Sequence, residues 1–337
     1  MKRRPTIIDV AREAGVSKST VSRVIADDGL GVNQETKERV LQAVENLGYV
    51  RNAVASSMRT DRTNLIMLAI PDITNPYWPE VARGVQDVMD AEGYAVVFAN
   101  SDWDEERETE YLKMARRNRL DGILINTVRV SSDRLKATGI PTVVLGTREE
   151  YSDFDRVGAD SYVGTKFAVQ HLVDMGHRRI GVILGQLDTK SKDSRKRGYV
   201  DVLVNAGISV DESLITIVPF TRAGGETGFK SLLELTPPPS AIFCANDTIA
   251  IGALQTALAA GLDVPGDISI IGLDDIDAAM TTHPPLTTIT KPKYDIGRQA
   301  ANFLLEQIHG DAPAMPRKLQ LAGELCVRGT TAPPSNK

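Results

Sequence analysis

The chain has 337 residues, of which 42% are hydrophobic and 25% charged, with a formal net charge of −5. This composition is typical of a globular protein, and the length predicts two or three domains. No apolar run reaches the roughly 18 residues that a membrane span needs, and charged Asp9, Arg12 and Glu13 interrupt the segment where an export signal would be apolar, so we expect a cytoplasmic protein.

Charge is distributed unevenly along the chain. Residues 1–62 hold 11 Lys and Arg against 8 Asp and Glu, a net of +3, and the rest of the chain therefore carries a net of −8. A basic head on an acidic body is typical of a protein that touches phosphates at one end only. Chance scatter of surface charge is the alternative.

The first fifty residues predict three short helices. Thr6 caps the first helix and Gly15 ends it, Ser17 caps the second, and the third runs from about Gln34 to Gly48. Two helices joined by a short Ala-Gly-Val-Ser turn form the arrangement in which the second helix enters the DNA major groove. We therefore predict a DNA-binding headpiece at 1–50.

A linker follows the headpiece. Residues 51–63 are rich in Ser, Asn, Arg and Thr, and their single apolar spacing, Val54 to Met58, allows only a marginal helix. We predict a hinge at 51–63 and a separate core at 64–337.

Beyond residue 64, short apolar runs alternate with amphipathic stretches. The runs lie at 65–71, 94–100, 122–127, 141–146, 179–185, 241–247 and 268–275, and the predicted helices include 78–92, 105–118, 162–175, 194–206 and 247–260. Buried parallel strands with helical crossovers have this pattern. We predict an α/β protein whose core has two doubly wound lobes with parallel sheets. Ligands bind at the carboxyl ends of such strands.

The core predicts binding rather than catalysis. It contains no GxSxG, P-loop, HExxH or Cys-x-x-Cys motif, and its four histidines are scattered. Cys244 and Cys326 lie in apolar runs and predict neither a disulfide nor a metal site. We expect no cofactor and no metal.

Polar and aromatic side chains do cluster where the predicted strands end. Carboxylate, amide and guanidinium groups bind vicinal hydroxyls, and aromatic faces stack on a pyranose ring. These side chains are Asp72, Asn75, Tyr77, Trp78, Arg195, Asn246 and Asp274. They predict a sugar site, although Arg195 and Asp274 could instead form an ion pair between the lobes, and Trp78 could pack at the lobe interface.

Several motifs resemble one family along essentially the whole chain. TIIDVAREAGVSKSTVSRVI, ETKERVLQAVENLGY, AND at 245–247, GLDD at 272–275 and PPLTTI at 284–289 resemble the LacI/GalR (lactose-repressor) family in order and spacing. The resemblance implies a transcription repressor with a core of the type I periplasmic-binding-protein kind. Its N-lobe would comprise about 64–162 and 291–322, and its C-lobe about 163–290 and 323–332.

The resemblance also implies which residues contact DNA. Base reading falls to Lys18, Ser19 and Arg23, opposite the apolar side of the second helix. Residues expected at phosphates are Thr6, Ser17, Thr20, Ser22, Asn33 and Thr36, and Asn52 is expected to contact DNA from the hinge. Met58 would wedge into the minor groove, unless it packs on the core. A solvated helix face is the alternative for the second helix.

For the effector, the resemblance adds Thr189 and Ser191 to the cleft. It implies a pseudo-palindromic operator, a homodimer and a sugar-like inducer. Too few residues follow the last predicted strand of the core, LCVRGT at 325–330, for the heptad helix that makes some relatives tetramers. A purine or another co-repressor is an alternative effector. A solute-binding protein or a carbohydrate enzyme on the same scaffold is the alternative from another class.

Overall fold

The computed structural model describes residues 5–25, 31–50, 62–127, 129–186 and 194–335. The chain divides into two compact units, Met1–Thr63 and Asn64–Lys337. Each unit has its own buried apolar core.

The first unit is a three-helix headpiece. Its helices are α1 (Ile7–Ala14), α2 (Lys18–Ile25) and α3 (Gln34–Leu47). Gly15 and Gly48 end α1 and α3 in the left-handed conformation, which glycine adopts at little cost. Apolar side chains from all three helices form one small core. The three predicted helices are confirmed.

The second unit alternates strands and helices. Its strands are β1 (Leu65–Ile70), β2 (Ala95–Asn100), β3 (Gly122–Ile125), β4 (Thr142–Leu145), β5 (Asp155–Ala159), β6 (Ile180–Gly185), β7 (Ile215–Val218), β8 (Ala241–Cys244), β9 (Ser269–Ile271), β10 (Thr288–Ile289), β11 (Lys318–Leu321) and β12 (Leu325–Cys326). Its helices are α4 (Tyr77–Ala91), α5 (Glu105–Arg117), α6 (Ser132–Lys136), α7 (Ser161–Asp174), α8 (Ser194–Asn205), α9 (Arg222–Leu233), α10 (Asp247–Ala259), α11 (Asp277–Thr281) and α12 (Lys293–His309), with short 3₁₀ turns at Glu149–Tyr151 and Glu212–Leu214.

One lobe is built on a six-stranded parallel sheet. The strand order is β11-β5-β4-β3-β1-β2. Helices α4 and α12 cover one face and α5 and α6 the other, each over an apolar cluster. Strands β1, β3 and β4 are buried almost throughout and are continuous apolar runs, which is why they were predicted from sequence, whereas β11 is exposed at alternate residues.

The other lobe is built on a four-stranded parallel sheet in the order β7-β6-β8-β9. Helices α7 to α11 and these strands share one core. The chain passes between the lobes after β5, between β10 and α12, and between β11 and β12. The antiparallel pair β10–β12 joins two of these passages. The seven strands and five helices predicted between 65 and 275 are present, and β12 lies within LCVRGT; β5, β7, β10 and β11 were not predicted.

Helices α4 and α12 cross with their backbones in close contact. A Cβ on Gly84 would lie 2.1 Å from the carbonyl oxygen of Tyr294, and one on Gly297 would lie 1.9 Å from that of Val81. Neither carbonyl can move without shifting its helix. The crossing therefore needs glycine at both positions, and it fixes the start of α12 beside the passage between the lobes.

We predict that Gly84→Ala lowers the free energy of unfolding by about 1–3 kcal/mol, the usual cost of overpacking a tight contact. The measurement is the denaturation midpoint in urea. Gln86→Ala, an exposed position on the same helix, is the matched control and should change stability by less than about 0.5 kcal/mol. An equally stable Gly84→Ala variant would contradict the close crossing.

Candidate functional site

Helix α2 presents a polar face that the headpiece core leaves open. Val21 and Val24 are buried against α1 and α3. Lys18, Ser19 and Arg23 are exposed on the other side. The exposed position predicted for these three residues is present, and it puts two cationic groups and a hydroxyl on the open side of α2.

The small polar residues predicted at phosphates mostly cap helices. The Thr6 hydroxyl accepts from the Asp9 amide at 3.4 Å, Ser17 Oγ accepts from the Thr20 amide at 3.1 Å, and Asn33 Oδ1 accepts from the Thr36 amide at 2.8 Å. Each cap lies at a helix N-terminus, where unpaired backbone N–H groups and the helix dipole favour anions.

The other three predicted phosphate residues are half-buried: Thr20, Ser22 and Thr36. Four further predicted site residues lie outside the described residues: Asn52, Met58, Thr189 and Ser191.

A cleft of about 1390 Å³ lies in the second unit, where residues of both lobes meet. Six of the predicted ligand residues line it, from the N-lobe Asn75, Tyr77 and Trp78, and from the C-lobe Arg195, Asn246 and Asp274. The structure thus brings together side chains that are up to about 200 residues apart, as expected for strand carboxyl ends in doubly wound lobes.

The N-lobe wall begins in the turn after β1. Asp72 is not among the lining residues; its carboxylate accepts from the backbone and hydroxyl of Thr74 at 2.8 and 2.6 Å, which shapes the turn. Asn75 Oδ1 accepts from the Tyr77 amide at 3.1 Å. Tyr77 and Trp78 pack edge to face, with ring centroids 5.0 Å apart. Trp78 is also part of the buried N-lobe core, so only part of it is open to a ligand.

The C-lobe wall carries Asn246 and Asp274. Asn246 caps α10 through a 2.9 Å bond from the Ile249 amide. Asp274 follows β9 with a φ of 139°, a backbone region that non-glycine residues rarely adopt. This conformation, held by the bond from the Asp274 amide to the Ile289 carbonyl, places the Asp274 carboxylate in the cleft.

Lys291 is the partner of Asp274, and the sequence did not identify it. Its Nζ lies 2.7 Å from Asp274 Oδ1, with only 7% and 6% of the two side chains exposed. Burial lowers the pKa of Lys291, and the Asp274 charge opposes that shift. Among the described residues, Oδ1 accepts no hydrogen bond of good geometry, so the contact is an ion pair and the oxygen can still accept from a ligand hydroxyl.

Lys291 and Lys293 also connect the two lobes. The Lys291 ammonium lies 5.4 Å from the ring centroid of Tyr77. Lys293 donates to the carbonyls of Asp274 and Asp275 at 3.0 and 2.6 Å and pairs with Glu80 of α4 at 3.2 Å. The loop that carries Asp274 is thereby tied to N-lobe residues.

A second buried carboxyl lies behind Asp274. Asp247 accepts from the Thr288 hydroxyl and, at 3.0 Å, from the Ile276 amide. Gly272 makes room for it, since a Cβ there would lie 2.2 Å from Asp247 Oδ1. Burial, with the nearby Asp274 charge, raises the pKa of Asp247 to about 7.

This raised pKa predicts a pH-dependent stability. Between the ordinary value of 3.8 and about 7, the folded chain holds a proton on Asp247 that the unfolded chain has lost. The stabilising contribution of Asp247 is therefore complete below the lower value and is lost as the pH rises through the higher one. We expect wild type to lose stability relative to Asp247→Asn by up to about 1.4 kcal/mol per pH unit within that window.

Urea denaturation of both proteins at several pH values from about 5 to about 8 measures this difference. Burial lowers the pKa values of His171 and His177, so these two residues should make both proteins more stable as the pH rises. The comparison between the two proteins cancels this contribution. Parallel stability curves for the two proteins would show that Asp247 stays ionised.

Besides Lys291, sequence reasoning missed further aromatic and basic residues of the cleft, among them Trp103, Phe220, Tyr162 and Arg197. Trp103 follows β2, so it could have been found by searching for aromatic residues after every predicted strand. Phe220 follows β7, which was not predicted. Arg197 lies 4.3 Å from the ring centroid of Tyr162. They add aromatic faces to a site otherwise rich in hydrogen-bonding groups.

Hydrogen-bonding, charged and aromatic side chains line the cleft. In the described ranges, no group of three or more His, Cys, Asp or Glu side chains could hold a metal ion. No helix in that part of the chain is long and apolar enough to cross a membrane. The site can bind a small ring through hydrogen bonds, charge and stacking.

Comparisons with known proteins find one family match in the headpiece and another in the core. Residues 6–52 match the bacterial regulatory proteins of the lacI family, and residues 169–331 match the periplasmic binding protein-like domain. The HTH-type transcriptional regulator DegA of Bacillus subtilis (strain 168) is 34% identical over 97% of this chain and 98% of its own length. The chain belongs to the LacI family of transcription regulators.

Other LacI-family proteins extend the similarity. The ribose operon repressor of Bacillus subtilis (strain 168) is 37% identical, covering 89% of this chain and 90% of the repressor. The lac repressor dimer bound to operator and the anti-inducer ONPF has a TM-score of 0.87 and 26% identity, over 98% of this chain and all of that one. The predicted family, fold class and non-enzymatic function are confirmed: the chain is a DNA-binding transcription regulator.

Proposed function

We propose that this LacI-family regulator is a cytoplasmic homodimeric repressor that binds a pseudo-palindromic operator and leaves it when a small sugar-like effector enters the cleft. The observation that carries the effector half is the convergence of Asn246, Asp274 and Arg195 with Tyr77 and Trp78 on one cleft. Carboxylate, amide and guanidinium groups facing aromatic rings suit a polyhydroxylated ring.

The DNA half of the proposal rests on α2. Exposed Lys18, Ser19 and Arg23 would read base edges in the major groove, with Arg23 able to fork-bond a guanine. The capped helix starts would hold phosphates. A two-fold dimer would place two such helices on two half-sites, which requires a palindromic site. The lac repressor neighbour, a dimer on its operator, supports this assembly.

The switch would act through residues 51–63 as a hinge between headpiece and core, with Met58 as the minor-groove wedge and Asn52 beside it. An effector changes operator affinity only if it prefers one arrangement of the lobes. The lobe boundaries near residues 162, 290 and 322 would be where the arrangement changes. Thr189 and Ser191 would join the effector site, and the similarity to a ribose operon repressor supports a sugar as its ligand.

The test has two arms. Selection from random duplexes by the full chain should enrich a site with two-fold symmetry. The second arm is a thermal-shift screen with D-ribose, D-glucose, D-glucose 6-phosphate and adenine. One of the sugars should stabilise the protein, by about 2.7 kcal/mol when the sugar is present at a hundred times its Kd.

The sign of the response follows from adding that ligand to the operator complex. We expect operator affinity to fall roughly 5- to 150-fold, the range of a coupling of 1–3 kcal/mol. Tighter operator binding would make the ligand a co-repressor, and stabilisation by adenine alone would replace the sugar with a purine. Selection of asymmetric or unrelated duplexes would contradict the operator half.

A further inference from the structure

We infer that Trp103 is a closing residue of the effector cleft: its indole stacks on Phe220 of the opposite lobe and holds the two lobes together over the ligand. The inference rests on the proposed function, because it assigns a role within the same cleft. Trp103 follows β2 of the six-stranded sheet, and Phe220 follows β7 of the four-stranded sheet. The contact therefore joins the lobes directly.

The two rings contact each other rather than enclosing a third. Their centroids are 6.1 Å apart and their planes are inclined by 29°. This lies within the roughly 4.5–7 Å at which aromatic rings pair directly. A sugar ring therefore has no room between them, and the pair acts as a closure beside the ligand space rather than as a stacking platform.

The Phe220 ring packs directly on the backbone of a glycine of the same lobe. A Cβ on Gly185, the last residue of β6, would lie 2.0 to 2.5 Å from atoms of the Phe220 ring, so the ring rests on the glycine backbone. The Arg195 guanidinium carbon lies 5.7 Å from the same ring centroid. Phe220 thus presents one face to Trp103 and stands next to a predicted ligand residue.

Trp103 is held by a strained turn. Asp102 and Trp103 have φ values of 51° and 60°, two successive non-glycine residues in the left-handed region. The backbone amides of Ser101 and Asp102 donate to the carbonyls of Ile70 and Pro71 at 2.9 and 2.8 Å. Strained backbone persists where its surroundings fix it, commonly at ligand sites.

The turn is also anchored by side chains on both flanks. Asp102 accepts from Asn100 Nδ2 at 2.6 Å and pairs with Arg107. Asp104 caps α5 through a 2.8 Å bond from the Arg107 amide. These anchors fix the backbone on both sides of Trp103, so little backbone freedom is lost when the lobes close.

Closure by Trp103 and binding of a ligand should strengthen each other. A ligand that contacts both lobes binds best when they are close, and the aromatic contact stabilises the same arrangement. A contact of this kind contributes about 0.5–1.5 kcal/mol beyond area burial. Trp103→Ala should therefore weaken ligand affinity roughly 2- to 12-fold, whereas Trp103→Phe, which keeps a ring, should weaken it less.

The contact is tested first without ligand. The chain has two tryptophans, Trp78 and Trp103, so subtracting the emission spectrum of Trp103→Phe from that of wild type isolates Trp103. The same subtraction is made in a Phe220→Leu background. Loss of the stack should move the Trp103 emission to longer wavelength and increase its quenching by acrylamide; identical Trp103 spectra in both backgrounds would overturn the contact.

Coupling to ligand is tested by titrating D-ribose, D-glucose and D-glucose 6-phosphate into wild type, Trp103→Ala and Trp103→Phe. Phe98→Ala, at an exposed aromatic on β2 that does not line the cleft, is the matched control and should bind as wild type does. Equal affinities of Trp103→Ala and wild type for a bound sugar would overturn the closing role. Failure of all three compounds to bind wild type would instead contradict the sugar ligand, and the emission experiment would still decide the contact.

Discussion

Replacing Asp274 by alanine should lower the free energy of unfolding by about 3–5 kcal/mol, because it leaves a buried ammonium without its partner. The Lys291 side chain is 7% exposed and its Nζ lies 2.7 Å from the Asp274 carboxylate. Burial already lowers the pKa of Lys291, and the carboxylate is what opposes that effect. Without it, the lysine must lose its proton or draw water into the cleft.

The decisive comparison is the double variant Asp274→Ala/Lys291→Met. Replacing a buried ion pair by apolar groups is often neutral or stabilising, so the double variant should recover most of the stability that Asp274→Ala removes. Urea denaturation of wild type, both single variants and the double variant completes a double-mutant cycle. Additive effects would show that the two charges do not depend on each other.

The same variants separate stability from response. If Asp274 binds the effector, the double variant should fold and bind operator but no longer respond to the sugar identified in the thermal-shift screen. A response of the double variant at the wild-type sugar concentration would remove Asp274 from the effector site. It would leave the buried ion pair as its role.

Replacing Arg23 by alanine should weaken operator binding by about 1–3 kcal/mol for each guanine that the arginine reads, so up to twice that for an operator with two half-sites. The residue is exposed on α2, on the side opposite buried Val21 and Val24. The effect should be confined to the cognate base: duplexes altered at one position in each half-site should bind the variant and wild type about equally.

Arg12→Ala is the matched control, since Arg12 is also a headpiece arginine, its side chain is 78% exposed and it lies on α1 beside Asp9. It should leave base preference unchanged. Binding of a panel of operators with single base changes measures both variants. Uniform weakening of Arg23→Ala on every duplex would make Arg23 a phosphate contact, and the slope of log K against log salt should then fall by about one for each half-site.

Local patterns explain why so much of the fold could be predicted from sequence. Helices α1 and α3 carry their own caps, Thr6 and Gly15 for one and Asn33 and Gly48 for the other. The parallel strands buried on both faces are continuous apolar runs that end in polar residues. Such signals depend only on residues that are close along the chain, so they can be recognised in the sequence.

Strand β5 was missed because polar residues break its apolar pattern, as in DRVGA, and β7 because Thr216 breaks the four-residue run ITIV. Their pairing comes from distant partners: β5 pairs with β11, whose residues lie about 160 positions further along the chain. No local pattern encodes such a register, because the energy that selects it arises only when the strands meet.

The position of polar and aromatic side chains at strand ends predicted that seven of them share one cleft; six line it, and Asp72 does not. The sequence by itself thus determined the family, the two doubly wound lobes and several of the polar side chains that line the cleft. Each of these follows from residue type and spacing along the chain.

Only the tertiary structure decided the partners of those side chains. Asp274 pairs with Lys291, Asp72 accepts hydrogen bonds within a turn, and Trp103 stacks on Phe220. These contacts depend on how the chain passes between the lobes and on where glycines such as Gly185 leave room. Burial then gives the contacts their strength, because a charge or a ring acts strongly only where water is excluded, and exclusion is a property of the packed lobes.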